Sequence, residues 1–306
     1  MEMLKKQLPL CLTVIIIGLM TGLSEFFENS EIIFPEMAAI AIGALLAPEF
    51  AWNTSTIRIL IFISICAVLG VLIVKFLSIP IGLQLCFAFF LAQMIFIFSG
   101  TSFAPMISAL VLPVMLQTDS PVYLLSAFGF TVLILFFRSI CEKIGLVQKK
   151  EFTPLGIPDK NMILQAFLRI FAGCLLILPA VMLDFRFAVA PPLLVAFTEF
   201  CKSDSPAEKK KFLIWSLILS CALTGCFCRY ALSSLPICIP AMLTILLVFL
   251  IMRKIKLFLP PAAAISILAY LIPENLIFFY PLQIAAGTAI LLFLSDLCRQ
   301  KKTVPA

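Results

Sequence analysis

The turn Ser99-Gly100-Thr101-Ser102, followed by Phe103-Ala104-Pro105, has the residue types of an anion seat. Serine and threonine hydroxyls cap helix starts, and Gly100 lets the backbone turn or a ligand come close. Pro105 suits a first helical turn, where a missing N–H costs nothing. Amides left open at such a start, together with the positive end of the helix dipole, attract negative charge. A matching start, Leu259-Pro260-Pro261, follows Arg253, Lys254 and Lys256, which bring positive charge by side chain. Two such starts related by a pseudo-two-fold would converge on one vestibule. The alternative, left open, is a pair of tight interhelical turns beside a basic cluster.

Arg169 lies inside an apolar run, Met162 to Phe171, where an ionisable side chain is costly. It either snorkels to the interface or contacts substrate. Glu36, directly after Pro35, reads as a carboxylate meeting a helix start. Glu199 beside Lys202 reads as an interfacial pair, with a proton-coupling carboxylate as the alternative. Gln84, Gln93 and Gln283 are amides within apolar runs that bond across helices or line a polar path. Glu25, Glu28 and Glu31 are expected in a solvated outer loop. With no histidine, no Gly-x-Ser-x-Gly and no phosphate loop, enzymatic chemistry is not expected. Cys226 and Cys228 form a lone C-x-C, and most of the 11 cysteines sit in apolar runs as small hydrophobes, so neither a metal nor another cofactor is expected.

These residues must be held by membrane helices. The chain is 63% hydrophobic and 12% charged, beyond what a soluble domain carries, and its apolar runs recur from end to end. The first run, from Leu8 to about Gly22 behind Lys5 and Lys6, resembles a signal sequence, but no small-residue cleavage site follows, and a retained first helix is expected. Pro35 and Pro191, Pro80 and Pro236, and Pro105 and Pro261 all lie 156 residues apart. One offset shared by three pairs reads as a duplication. Segmentation gives 8–24, 31–48, 57–75, 79–99, 102–117 and 121–138, then 162–183, 187–200, 212–229, 236–252, 257–272 and 276–295.

The expected fold is therefore all-α: a polytopic transmembrane bundle of about twelve segments in two parallel six-helix repeats, some short or broken by proline. Repeat one covers 1–140, a linker 141–160, repeat two 161–299 and a tail 300–306. With the amino terminus cytoplasmic, nearly all Lys and Arg outside the segments fall on the cytoplasmic side, leaving only Lys75, Arg186 and Arg229 outside. A multi-pass protein of the inner cell membrane with both termini cytoplasmic follows. The net charge of +6 is thus topological, and nucleic acid is excluded as a partner. Trp52 and Trp215 are expected as interface anchors, and Gly43, Gly70, Gly129, Ala285, Ala286 and Gly287 as points of close helix contact.

The stretch Pro191-Pro-Leu-Leu-Val-Ala-Phe-Thr-Glu-Phe through Ser205-Pro206, Leu259-Pro260-Pro261-Ala262-Ala263-Ala264, Tyr280-Pro281-Leu282 and Ala286-Gly287 resembles the HPP family of integral membrane proteins. The likeness covers roughly 190–295, with a fainter echo at Ser102–Met106 and Pro121. Leu259 and Phe103 stand where that family has histidine. The family includes members associated with nitrite transport, so the resemblance implies a small-anion transporter. The expected partners are the lipid bilayer and a small solute, an anion such as nitrite, with a homo-oligomer left open. Ser99, Gly100, Thr101, Ser102, Pro105, Leu259, Pro260 and Pro261 would shape the site, and Arg169, Arg253 and Lys254 would attract charge. A non-transporting scaffold or partner subunit is the alternative, followed by a lipid-modifying enzyme using Glu36 or Glu199.

Overall fold

A computed structural model describes residues 2–203 and 205–299; the expected tail lies outside them. In chain order the helices are α1 (Glu2–Phe26), α2 (Glu36–Ala41, continued by a π-helical turn Ile42–Leu46), α3 (Thr56–Phe76), α4 (Ile81–Phe98), α5 (Pro105–Leu116), α6 (Pro121–Lys143), α7 (Lys160–Met182), α8 (Pro191–Phe200), α9 (Lys211–Ala231), α10 (Cys238–Ile255), α11 (Pro260–Leu268) and α12 (Tyr280–Leu297). No strand occurs among the described residues. Eight of the helices (α1, α3, α4, α6, α7, α9, α10 and α12) are long and apolar enough to cross a membrane. The chain is a multi-pass membrane protein.

The other four helices, α2, α5, α8 and α11, are too short to span hydrocarbon about 30 Å thick as helix alone. The expected segments 31–48, 102–117, 187–200 and 257–272 are helical only in part. These four are buried along almost their whole length and form the inner core. The long helices surround them and carry exposed large side chains such as Phe128, Phe136, Phe167, Phe171 and Phe293 on their outer faces. In lipid an apolar outer face costs nothing, so these helices lack the one-sided polarity of a soluble bundle.

Proline explains how four helices can begin inside an apolar core. The first amides of a helix have no intrahelical partner, and a bare N–H in such a core is costly. Each inner helix starts without a side-chain cap but with proline: Pro35 before α2, Pro105 opening α5, Pro191 and Pro192 opening α8, and Pro260 and Pro261 opening α11. The ring removes a donor that would otherwise be orphaned. The serine and threonine capping expected at Pro105 does not occur. Ser99 and Thr101 close the preceding turn instead, accepting from the Thr101 amide at 3.1 Å and the Phe103 amide at 3.3 Å.

Corresponding contacts appear in both halves. In α5 and α11 a main-chain carbonyl, that of Leu110 or Ser266, packs so closely on Gly70 of α3 or Gly225 of α9 that a Cβ there would collide with the oxygen. The Tyr123 hydroxyl donates to Ala109 O at 2.9 Å and that of Tyr280 to Ile265 O at 2.7 Å. Each tyrosine ring meets a phenylalanine edge-on, Phe34 at 5.5 Å and Phe187 at 5.6 Å. The halves also interlock, with α1 against α10, α4 against α7, α2 against α11 and α5 against α8.

The stretch containing α2 runs alongside α6 in the same direction. Ser126 donates to Ile32 O at 2.5 Å, the Thr131 hydroxyl lies 3.9 Å from Met37 Sδ, and Arg138 donates to Ala44 O at 2.5 Å. Of the expected close-contact glycines, Gly43, Gly70 and Gly287 are tightly packed, whereas Gly129 has open space where a Cβ would go. Trp52 is not an interface anchor: it is 3% exposed, packed on Gly43 and edge-on to Phe103 at 5.1 Å. Trp215 is partly buried and donates to Ala285 O at 2.9 Å.

Candidate functional site

Three polar side chains from three helices meet in the core. Gln93 of α4 donates through Nε2 to Thr198 Oγ1 of α8 at 2.6 Å, and its Oε1 accepts from Arg169 Nε of α7 at 3.3 Å. The amide is thereby fixed with its oxygen toward the guanidinium, while the Thr198 hydroxyl donates onward to Leu194 O at 3.0 Å. Arg169 is 5% exposed, so it does not snorkel to the interface. Among the described residues it makes no ion pair, and Gln93 is its one hydrogen-bond partner.

Arg169 borders a cavity of about 890 Å³ between the two halves of the chain. Thr101 and Ser102 line it from before α5, Leu259, Pro260 and Pro261 from the start of α11, and Thr198, Glu199 and Lys202 from the end of α8. The segment between α6 and α7 passes over this face: Leu155 donates its amide to Gly100 O at 2.9 Å, Asn53 donates to Thr153 O at 2.7 Å, and Arg58 lies over the Phe152 ring at 4.8 Å. Gly100 adopts a φ of +64°, which an L side chain resists, so its carbonyl can turn to that strap.

The turn before α5 and the start of α11, both singled out in the sequence, therefore open on one cavity. Ser99 lies just behind it, its hydroxyl 3.0 Å from that of Thr101. Pro105 is buried within α5 and does not line it. Arg253 and Lys254, at the end of α10, are exposed and also lie off the lining, so the positive charge at the cavity comes from Arg169, Lys150 and Lys202. Glu49 and Glu199 are the acidic residues of the lining. Glu199 Oε2 pairs with Lys202 at 2.5 Å while its Oε1 is buried without a partner, and Lys202 also donates to Ser102 O at 3.4 Å. Because prolines fill the first positions of α11 and open α5, few amides are left to bind an anion there. Attraction rests on the helix dipoles and on the side-chain cations.

Thr198 and Lys202 were not identified as parts of this site from the sequence. The available signal was weak: Thr198 is one polar residue in the apolar run of α8, and the pairing with Gln93 joins residues far apart in the chain. Gln84, grouped with Gln93 in the sequence, belongs elsewhere. It donates to Leu77 O at 2.6 Å and accepts from Gln117 at 2.8 Å, near the α5–α6 turn. Gln283 receives the Phe187 amide at 2.9 Å.

Compared with known proteins, the chain matches no family model, no curated protein and no solved structure.

Proposed function

We propose that the protein is a transporter of a small anion such as nitrite, and that the cavity bordered by Arg169 is its substrate vestibule. The observation that carries this reading is the buried guanidinium itself. A cation held at that depth without a carboxylate among the described residues is costly, and a visiting anion offsets the cost. Gln93 orients the guanidinium through Nε, leaving its terminal N–H groups for a planar oxyanion, which arginine holds through two parallel hydrogen bonds. A guanidinium held in place by the Gln93–Thr198 pair selects by charge and geometry rather than by apolar area.

The molecule is read as two parallel repeats of six segments, HPP-like in the second half, in which the short helices and their extended flanks complete the crossings. Supporting this are helix starts and ends that recur near the 156-residue spacing, and the matched pairs Gly70 and Gly225, Tyr123 and Tyr280, Phe34 and Phe187. The side bearing Lys150, Lys202, Arg253 and Lys254 is taken as cytoplasmic in an inner membrane, by the positive-inside rule. No resident cofactor or catalysis is assigned.

The test is flux in proteoliposomes holding only this protein, comparing nitrite, nitrate, formate and chloride against empty liposomes. Saturable, protein-dependent uptake of one anion supports the reading. Folded protein that moves none of them refutes it and shifts weight to the partner-subunit alternative.

A further inference from the structure

A second buried ionisable group lies away from the vestibule. Glu36, the first residue of α2, is 1% exposed, and its Oε2 has no hydrogen-bond partner. It faces Ser108 of α5, whose hydroxyl is fully buried and also without a partner. Two polar groups without hydrogen-bond partners, from two inner helices, thus face each other in the core.

Among the described residues the surroundings supply no counter-charge. The titratable groups near Glu36 are Tyr123 of α6 and Tyr280 of α12, both of whose hydroxyls are committed to main-chain carbonyls. Helices α5 and α11, which pack on α2, contain no titratable side chain. Arg138 of α6 is bonded to Ala44 O at the far end of the α2 stretch and paired with Glu142, and Glu25 of α1 accepts from the Ile237 amide. An ionised carboxylate without a partner in such a place is prohibitively costly, and taking up one proton neutralises it. Three side-chain oxygens, two from Glu36 and one from Ser108, are too few for a calcium ion, whose sites need about six.

We infer that Glu36, beside Ser108, is a proton-binding site and that the proton is the ion coupled to transport. The coupling part rests on the transport reading above. A purely structural acid is disfavoured within the duplication, because the matching position 156 residues on is Pro192, an apolar residue buried at the start of α8. The fold needs no carboxylate there. Releasing the proton requires water or a cation to reach Glu36, hence a shift of α2 against α5 and α11, so proton occupancy and conformation are linked.

The experiment has two arms on purified full-length protein in liposomes. Infrared spectra at neutral pH should contain a protonated carboxylic acid band that disappears at alkaline pH and is absent in Glu36→Gln. Uptake driven by an inward proton gradient should accumulate the anion by about tenfold per pH unit for one proton per anion, collapse with a protonophore, and lose its gradient dependence in Glu36→Gln. Should that variant fail to assemble, Ser108→Ala gives the same reading, because removing the facing hydroxyl should shift the band. A spectrum identical in wild type and Glu36→Gln, or unmoved by Ser108→Ala, overturns the proton site. Accumulation that follows sodium, or ignores the proton gradient, overturns the coupling. The band without uptake of any anion supports the proton site while refuting both transport and coupling.

Discussion

Replacing Tyr123 with phenylalanine should cost more than one hydroxyl normally does, and the reason is Pro113. Within α5 the carbonyl of Ala109 would ordinarily accept from the amide of residue 113, and proline has none. The Tyr123 hydroxyl takes that place at 2.9 Å, with both residues buried. Without it an acceptor is left bare in an apolar core. Orphaning a buried group costs about 1–3 kcal/mol in soluble proteins, while bonds between membrane helices average about 0.6 kcal/mol and reach about 1.7. The missing intrahelical amide puts this site at the upper end, about 1.5 kcal/mol. In a Pro113→Ala background the new amide satisfies Ala109, so Tyr123→Phe should then cost about 1 kcal/mol less. The double-mutant cycle also cancels the packing that Pro113 loses against Gly70. Equilibrium unfolding in mixed micelles, followed by circular dichroism, would measure all four proteins. Equal costs of Tyr123→Phe in both backgrounds would refute this account of α5.

Arg169→Gln should lower anion uptake at least about tenfold, the size expected for losing a charge-assisted pair, and Arg169→Lys should restore part of it; normal flux from well-folded Arg169→Gln would remove Arg169 from the site. Gln93→Leu should reduce uptake and stability together, because it strips hydrogen bonds from both Arg169 and Thr198, and Thr198→Val should do so more mildly; thermal unfolding beside flux separates the two effects. Gly225→Ala should destabilise by at least about 1–3 kcal/mol, since its Cβ would meet the Ser266 carbonyl, a main-chain atom that cannot step aside. Gly129→Ala, facing open space, should be neutral or slightly stabilising in the same unfolding assay.

Much of the helical layout was legible because lipid simplifies the code. Every spanning element must satisfy its own backbone, so apolar runs of sufficient length become helices, and the eight long helices sit where those runs lie. The prolines at positions 35, 105, 191 and 261 were legible as a spacing before their role was. That role depends on burial, because a proline at a helix start matters most where no water can reach the first amides. Partner choice was illegible. Nothing local to Gln93 distinguishes it from Gln84, yet one grips Arg169 and the other Gln117. Trp52 has the composition of an interface anchor and the position of a core residue, since the chain after the α2 stretch folds inward over Gly43.

The sequence by itself determined a helical membrane protein, the runs in which its eight long helices lie, and the set of ionisable residues that hydrocarbon would penalise. Only the tertiary structure decided that the turn before α5 and the start of α11 share one cavity, that Arg253 and Lys254 stand outside it, and that Glu36 faces Ser108 with no counter-charge among the described residues. The physical reason is range. Hydrophobicity, proline stereochemistry and helix length act within a few residues, whereas pairing a buried charge or leaving it alone depends on which distant helix packs beside it.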